Sequence, residues 1–206
     1  DKTPTDSESI IVRNNITDDD GVHWKLQDDY IDITINQKTQ SVNLVQNSIM
    51  YIDTAKLYLD TNSTSEILKR TLTRFIKGGN IIHLKVKRRD EADSNTDSHI
   101  YIAPPKLLGN IVLVTLPALS NMMLSQNYYV ACSKYIETSL FGGTGLLKQL
   151  MLNTGTHYFK MKNTTLDKKG VIAIASTGNV IKLNITSNKK YRINNDMLIG
   201  WVGDLE

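Results

Sequence analysis

The feature that most constrains this fold is an internal repeat of eleven residues. The three segments that align without gaps are 42–52, 122–132 and 191–201. In this register Leu44, Leu124 and Ile193 coincide, and a polar pair containing asparagine begins two residues later in each segment. Asparagine suits a tight corner because it tolerates left-handed backbone and bonds its own main chain. The repeat predicts three strand–corner–strand units that pack their apolar faces around one shared core.

Alternating and β-branched runs predict that the rest of the chain is mainly β. Ile31, Ile33 and Ile35 alternate with polar residues, which indicates a half-buried strand. A run of this kind ends eight or nine residues before the aligned residue of each unit, at Ile35, Leu116 and Ile185. The predicted strands are Tyr30–Asn36, Ser41–Ile52, Asn80–Lys87, Ile111–Leu116, Met122–Cys132, His157–Met161, Gly170–Ser176, Val180–Ile185 and Tyr191–Trp201.

Two short helices interrupt this pattern. Ser65–Lys77 carries an apolar stripe at helical spacing and is followed by Gly78-Gly79, and Gly145–Leu152 is long enough for about two turns. We therefore predict an N-terminal extension over residues 1–29, partly ordered, and a single β-rich domain over 30–206. The expected architecture is a sandwich-like or prism-like β domain of antiparallel strand–turn–strand units.

Composition excludes few classes of protein. The chain has 206 residues and a net charge of +3, which is too small to argue for nucleic acid by itself. Its one cysteine, Cys132, lies in an apolar stretch that predicts a buried, inert thiol. No run approaches the roughly 20 apolar residues that span a bilayer. Because the chain begins at Asp1 rather than Met, we expect an upstream segment, and whether it is a presequence or an anchor stays open.

The clearest charged cluster is the basic run Lys85, Lys87, Arg88 and Arg89. Such a run can contact phosphates or anionic lipid, with about 1 kcal/mol gained per basic residue near an anionic surface. Acidic residues follow at once in 90–93 and offset much of this field. A solvated strand end is therefore the simpler interpretation, and an anionic contact at these four residues is the alternative.

Catalytic and metal-binding patterns are absent from the sequence. The four histidines form no His-x-His or His-Glu-x-x-His motif, and no Gly-x-Ser-x-Gly elbow is present. We therefore predict no enzymatic activity, no cofactor and no metal. The alternative is an enzyme on a double-stranded β scaffold, which would need an acid–base or metal site formed by residues distant in sequence.

Five segments, taken in order, resemble one known family. The segments are Ser48–Thr54, the predicted helix Ile67–Ile76 with its two glycines, Ile102–Ile111 with its Pro-Pro and Gly-Asn, Met123–Ser133 and Tyr191–Trp201. Together they are similar to the altered inheritance of mitochondria protein 24 family of mitochondrial biogenesis proteins and its bacterial relatives. The resemblance runs from about Asp32 to Trp201. The lysine-rich segment Asn163–Gly170 departs from the compact glycine turn of the family.

This resemblance implies a β fold of the tryptophan-RNA-binding attenuator-like group and a mitochondrial location, reached through a transit peptide, at the inner membrane. The side of that membrane and the oligomeric state stay open. It also implies a part in inner-membrane organisation, including the cristae-organising complex, and in respiratory competence. No site residue is implied.

The leading hypothesis is a non-enzymatic scaffold or assembly factor that contacts inner-membrane protein complexes, either cristae-organising or respiratory. The alternatives are a module that binds RNA or anionic lipid through Lys85–Arg89, and an accessory subunit of a larger mitochondrial assembly. Nucleic acid is the less favoured partner because the net charge is small.

Overall fold

Strands dominate the computed structural model, which describes residues 11–12, 14–60, 83–90, 92, 96–104, 109–140, 158–186, 190–194 and 197–202. Two single-turn 3-10 helices also occur, at Gln46–Ser48 and Gln126–Tyr128. The strands are β1 Ile11–Val12, β2 Ile16–Thr17, β3 His23–Leu26, β4 Ile31–Ile35, β5 Ser41–Val45, β6 Ile49–Ile52, β7 Leu57–Asp60, β8 His83–Arg88, β9 Ser98–Ile102, β10 Asn110–Leu116, β11 Asn121–Ser125, β12 Tyr129–Ser133, β13 Ile136–Leu140, β14 Tyr158–Asn163, β15 Gly170–Ser176 and β16 Gly200–Val202.

These strands form three antiparallel sheets. The seven-stranded sheet has the order β1-β10-β15-β12-β5-β8-β7, the five-stranded sheet β2-β3-β4-β9-β6, and the four-stranded sheet β13-β14-β11-β16. The prediction of a mainly antiparallel β fold is confirmed. Both predicted helices lie outside the described residues, as do 80–82 and His157 at the starts of two predicted strands.

The seven-stranded sheet is the middle layer of the fold. Along β15, Val171, Ala173 and Ala175 pack in a hydrophobic cluster with the five-stranded sheet, whereas Ile172 and Ile174 pack in a second cluster with the four-stranded sheet. All seven residues of β15 are buried, as expected for a strand covered on both faces. The prediction of one shared core is therefore wrong, because alternate side chains of the middle sheet face two separate cores.

The first two repeat units have the predicted structure. The unit at 42–52 consists of β5, a 3-10 turn and β6, and the unit at 122–132 consists of β11, a 3-10 turn and β12. In each unit the turn carries the chain from one sheet into another. Leu44 and Leu124, which coincide in the sequence alignment, are both fully buried.

The third unit differs from the prediction. Of the described residues in the predicted strands Val180–Ile185 and Tyr191–Trp201, only Gly200 and Trp201 lie in a strand, which is β16, and 195–196 lie outside the described residues. In the first two units the leading strands β4 and β10 pair with the later strands β9 and β15. The described residues 180–186 form no strand, so the third unit has no leading strand that corresponds to β4 and β10.

Several short strands were not predicted. β1, β2 and β3 lie within the predicted N-terminal extension, and β3 pairs with β4 along four residues. The boundary between residues 29 and 30 stays a prediction. The unpredicted strands β7 and β13 pair with the next strands along the chain, β8 and β14, and the unpredicted strand β9 pairs with β6.

Cys132 lies in the core of the second unit, as predicted. Its side chain is fully buried, and the Tyr129 hydroxyl donates a hydrogen bond to its Sγ atom at 3.3 Å. Burial raises the pKa of the Cys132 thiol to about 11. A thiol with this pKa holds little reactive thiolate at neutral pH, so Cys132 acts as a core residue.

Candidate functional site

The outer face of the five-stranded sheet carries a cluster of tyrosines. On β4 and β9 the inward positions are isoleucines and Ser98, so the alternating positions Asp32, His99 and Tyr101 point outward. Tyr101 lies opposite Asp32 on one side and Tyr51 of β6 on the other. Tyr30, just before β4, completes the group. We call Tyr30, Asp32, Tyr51, His99 and Tyr101 the tyrosine face.

Tyr101 is the centre of this surface. Its ring centroid lies 5.2 Å from that of Tyr51, 5.4 Å from that of Tyr30 and 6.2 Å from that of His99. Each of these three rings is tilted relative to the Tyr101 ring, within the range of separations at which aromatic pairs attract. The contacts with Tyr101 place the rings side by side, from the start of β4 across β9 to β6.

The polar groups of the face are paired with one another. The Nδ1 atom of His99 lies 2.9 Å from Oδ1 of Asp32. The negative charge of Asp32 is the main cause that raises the pKa of the Tyr101 hydroxyl. Tyr101 therefore keeps its proton at neutral pH and can donate a hydrogen bond, while Asp32 gives the centre of the face a negative potential.

Part of this face is unusually exposed for its composition. Met50 is 63% exposed and Tyr51 is 49% exposed. Val130 and Ala131, the residues that correspond to them in the second unit, are fully buried under the five-stranded sheet. Val130 and Ala131 lie on the same side of β12, so the repeat alignment places Met50 on the same outer side of β6 as Tyr51. Tyrosine and methionine are both enriched in protein interfaces, so the exposed surface has the chemistry of a contact site.

The structure does not bring the four predicted basic residues into one cluster. Lys85 and Lys87 share one side of β8, because alternate residues of a strand share a face. The ammonium group of Lys87 lies 2.5 Å from a carboxylate oxygen of Asp60, and this hydrogen bond raises the pKa of Lys87. Burial, and then the neighbouring Lys87, lower the pKa of Lys85. The side chain of Arg89 donates to the carbonyl of Thr54 at 3.0 Å.

Arg88 points to the other side of β8 and is only 3% exposed. Its guanidinium donates to the carbonyl of Ile35 at 3.0 Å, to the hydroxyl of Ser98 at 2.8 Å and to the carbonyl of Thr96 at 2.8 Å. These bonds tie β8 to the five-stranded sheet. An anionic contact at Lys85, Lys87 and Arg89 stays a prediction, whereas the Arg88 side chain is engaged inside the fold.

A second buried polar side chain occupies the corresponding place in the next unit. Leu57 lies opposite Arg88 as Ile136 lies opposite Asn163. The side-chain amide of Asn163 donates to the carbonyl of Leu116 at 3.0 Å, as Arg88 does to Ile35. Ile35 and Leu116 are the strand ends that precede the two repeat units in the alignment. The repeat therefore includes a buried donor that holds the end of its leading strand.

Metal-ligating side chains do not gather in the part of the chain that the structure describes: no group of three or more histidine, cysteine, aspartate or glutamate residues there could hold an ion. In the same residues no helix is long and apolar enough to cross a membrane. The expectations of no cofactor and no enzymatic site stay predictions.

The family model described as "Mitochondrial biogenesis AIM24" matches residues 28–206, which include both complete repeat units and the tyrosine face. The chain belongs to this family. Membership in the AIM24 family confirms the resemblance identified in the sequence. It relates the role of the chain to mitochondrial biogenesis and its location to the mitochondrion.

One solved structure supports the fold. A crystal structure of a protein from Streptococcus pyogenes superposes with a TM-score of 0.50 at 15% identity, and the alignment covers 82% of this chain and 65% of that protein. At this identity the likeness shows the fold alone, and the chain spans less than two thirds of the bacterial protein. A search of curated proteins finds no match to this chain.

The tyrosine face was not predicted from the sequence, although a signal for part of it was present. Ser98–Ile102 alternates polar and apolar residues, which is typical of a strand with Tyr101 on its outer side. The order β4-β9-β6, which places Tyr30, Tyr101 and Tyr51 side by side, comes from pairings between distant segments.

Proposed function

We propose that this member of the AIM24 family is a non-enzymatic scaffold or assembly factor that binds protein complexes of the mitochondrial inner membrane through its tyrosine face. The observation that carries the proposal is the contact of Tyr101 with Tyr30, Tyr51 and His99 on a partly exposed sheet surface. The family supports a role in mitochondrial biogenesis, and this surface supplies a means of contact for such a role.

The chemistry of the face favours a protein partner. Tyrosine offers a large apolar ring at low cost in side-chain entropy and a hydroxyl that hydrogen-bonds at the rim, which makes it a common interface hot spot. Asp32 lies at the centre of the face and would repel a phosphate backbone. Lys85 and Lys87 lie on a different sheet from the tyrosines. A nucleic acid stacked on these rings would meet one lysine within the described strands of this sheet, Lys25, which lies opposite Asp32, and therefore few of the cations that such binding needs.

The partner that fits has an apolar or aromatic side chain to rest against Tyr51 and Met50, and a hydrogen-bond acceptor for the Tyr101 hydroxyl. We infer that subunits of a cristae-organising or respiratory assembly provide this surface. The polar side chains of His99 and Asp32 add hydrogen-bonding contacts that fix the orientation of the partner.

Removing two of the tyrosines should abolish this binding. For the full-length chain carrying Tyr51→Ser and Tyr101→Ser, we expect recovery of inner-membrane subunits from solubilised mitochondria to fall at least about tenfold, because truncating an interface hot spot costs about 2 kcal/mol or more. The measurement is quantitative affinity capture, with thermal unfolding of the double variant measured in parallel.

The matched control is Tyr58→Ser. Tyr58 is 36% exposed but lies on β7, at the edge of the seven-stranded sheet. Its replacement should leave the capture unchanged. Equal losses from both variants, or a wild-type chain that recovers only matrix enzymes, would contradict the proposal. Salt-sensitive binding to RNA or anionic vesicles that is lost on replacing Lys85 and Lys87 would favour the alternative module instead.

A further inference from the structure

Neighbouring repeat units are joined by strand pairing, and we call each such pairing a junction. Two junctions are formed in the structure, and both have the same register. In the seven-stranded sheet Leu44 lies opposite Ala131, and in the four-stranded sheet Leu124 lies opposite Gly200. Ala131 and Gly200 each lie seven residues after the aligned residue of their own unit. Each junction therefore joins the first strand of one unit to the second strand of the next, at the same two repeat positions.

The same rule assigns a third junction. The first strand of the third unit should pair with the second strand of the first unit, which is β6. On its inner side β6 pairs with β9 through an irregularity between Ile49 and Tyr51, as β12 pairs with β15 through one between Tyr129 and Ala131. Among the strands that the structure describes, the other side of β6 is the last edge of the five-stranded sheet. This edge corresponds to the side of β12 that β5 covers.

The exposed fractions of the aligned residues in the three units differ, as expected if the third junction is not formed in the structure. Leu44 and Leu124 are fully buried, whereas the aligned Ile193 is 38% exposed. Residues 191–193 belong to no strand in the structure, and the Tyr191 hydroxyl donates to the carbonyl of Asn184 at 3.5 Å.

We propose that the outer edge of β6 is a strand-acceptor site and that its occupant is residues 191–193 of the same chain, paired antiparallel with Ile193 opposite Tyr51. Both closed junctions lie within one chain. In addition, β16 begins seven residues after Ile193 and is held on β11. This attachment keeps the segment at a high effective concentration near its acceptor, which favours the chain's own segment over one from another molecule. This site uses the backbone edge of β6, whereas the partner contact proposed for the tyrosine face uses the side chain of Tyr51 on the same strand.

The register also fixes the hydrogen-bond type of the new pair. Ser125 donates its N–H to the carbonyl of Ile199 at 2.8 Å, so the next pair along, Leu124 and Gly200, is of the non-hydrogen-bonded type. Ile193 and Tyr51 occupy the same two positions. Residues in such a pair have Cα atoms about 4.5 Å apart, a distance that a disulfide can bridge.

The test is a cysteine pair in the full chain, Tyr51→Cys with Ile193→Cys, in a Cys132→Ala background. Under mild oxidation we expect an intrachain disulfide in most molecules, detected by non-reducing electrophoresis and by a mass about 2 Da lower, as loss of two hydrogens requires. The matched control, Tyr58→Cys with Ile193→Cys, should give at least about tenfold less, because β7 lies in a different sheet. A disulfide between two chains, or none in a folded protein, would overturn the proposal.

Hydrogen exchange in the unmodified chain provides a second measurement. In the proposed register Arg192 forms a hydrogen-bonded pair with Ile52, so its amide should exchange at least about 100-fold more slowly than an unprotected amide. Exchange of the Arg192 amide at the unprotected rate would overturn the proposal even if the cysteine variants failed to fold.

Discussion

Replacing Arg88 with methionine is expected to lower the free energy of unfolding by about 3 kcal/mol, because buried acceptors lose their donor. The guanidinium of Arg88 satisfies the carbonyls of Ile35 and Thr96 and the hydroxyl of Ser98. Methionine fills a similar volume without replacing any of these bonds. The measurement is urea denaturation followed by tryptophan fluorescence, in which the buried Trp24 reports on the five-stranded sheet.

The neighbouring Arg89→Met variant is the control. Arg89 is exposed and makes a single side-chain bond to Thr54, so its loss should change stability by no more than about 0.5 kcal/mol. Asn163→Leu should resemble Arg88→Met in sign, because Asn163 holds the corresponding strand end. Equal effects at positions 88 and 89 would show that Arg88 has no special structural role.

Replacing Asp18 with alanine is expected to cost about 3 kcal/mol, since it removes the acceptor of a buried polar network. The Asp18 carboxylate accepts hydrogen bonds from the amides of Asp20 and Val22, the Trp24 indole and the Ser133 hydroxyl. The Ser133 hydroxyl in turn accepts from the amide of Val171. Asp18 thus ties the turn before β3 to the middle sheet.

The pH dependence of this effect has a definite sign. Burial is the largest influence on the carboxyl of Asp18 and raises its pKa above 3.8. The folded state therefore holds this proton more tightly than the unfolded state, and stability contributed by Asp18 falls as the pH rises from 3.8 through the folded pKa. Relative to Asp18→Asn, which does not titrate, the wild-type chain should be most stable at the acid end of this window.

Asp29→Ala provides the control for Asp18, because Asp29 lies in the exposed turn between β3 and β4. We expect a change within about 0.5 kcal/mol. Urea denaturation across pH 3.5 to 7, on a scale set by the ordinary pKa of aspartate near 3.9, measures both variants. A loss at Asp18→Ala no larger than at Asp29→Ala would contradict the network.

Strong local patterns predicted the strands of the fold better than its polar contacts. The run Gly170–Ser176 was predicted to its exact bounds, because seven small and β-branched residues between turns leave few alternatives. The repeat predicted the two complete units but not the third, since whether 180–186 forms a strand depends on a partner elsewhere in the chain. Short strands such as β7 were missed because four residues carry too little pattern.

In the candidate sites, too, local sequence pattern predicts which side of a strand a residue faces but not its long-range contacts. Strand alternation alone separates Arg88 from Lys85 and Lys87, so the basic run could have been divided from the sequence. The bonds that make Arg88 structural come from residues 10 and 53 positions away, which no local pattern reveals. The tyrosine face likewise depends on the strand order β4-β9-β6, which is set by long-range pairing.

The most direct test of the scaffold hypothesis is photo-cross-linking in mitochondria with a benzophenone amino acid at position 51 and, as control, at position 58. The tyrosine face predicts that position 51 forms a discrete adduct with an inner-membrane subunit and that position 58 does not. Absence of an adduct at 51, or the same adducts from 51 and 58, would contradict the claim that this face binds the partner.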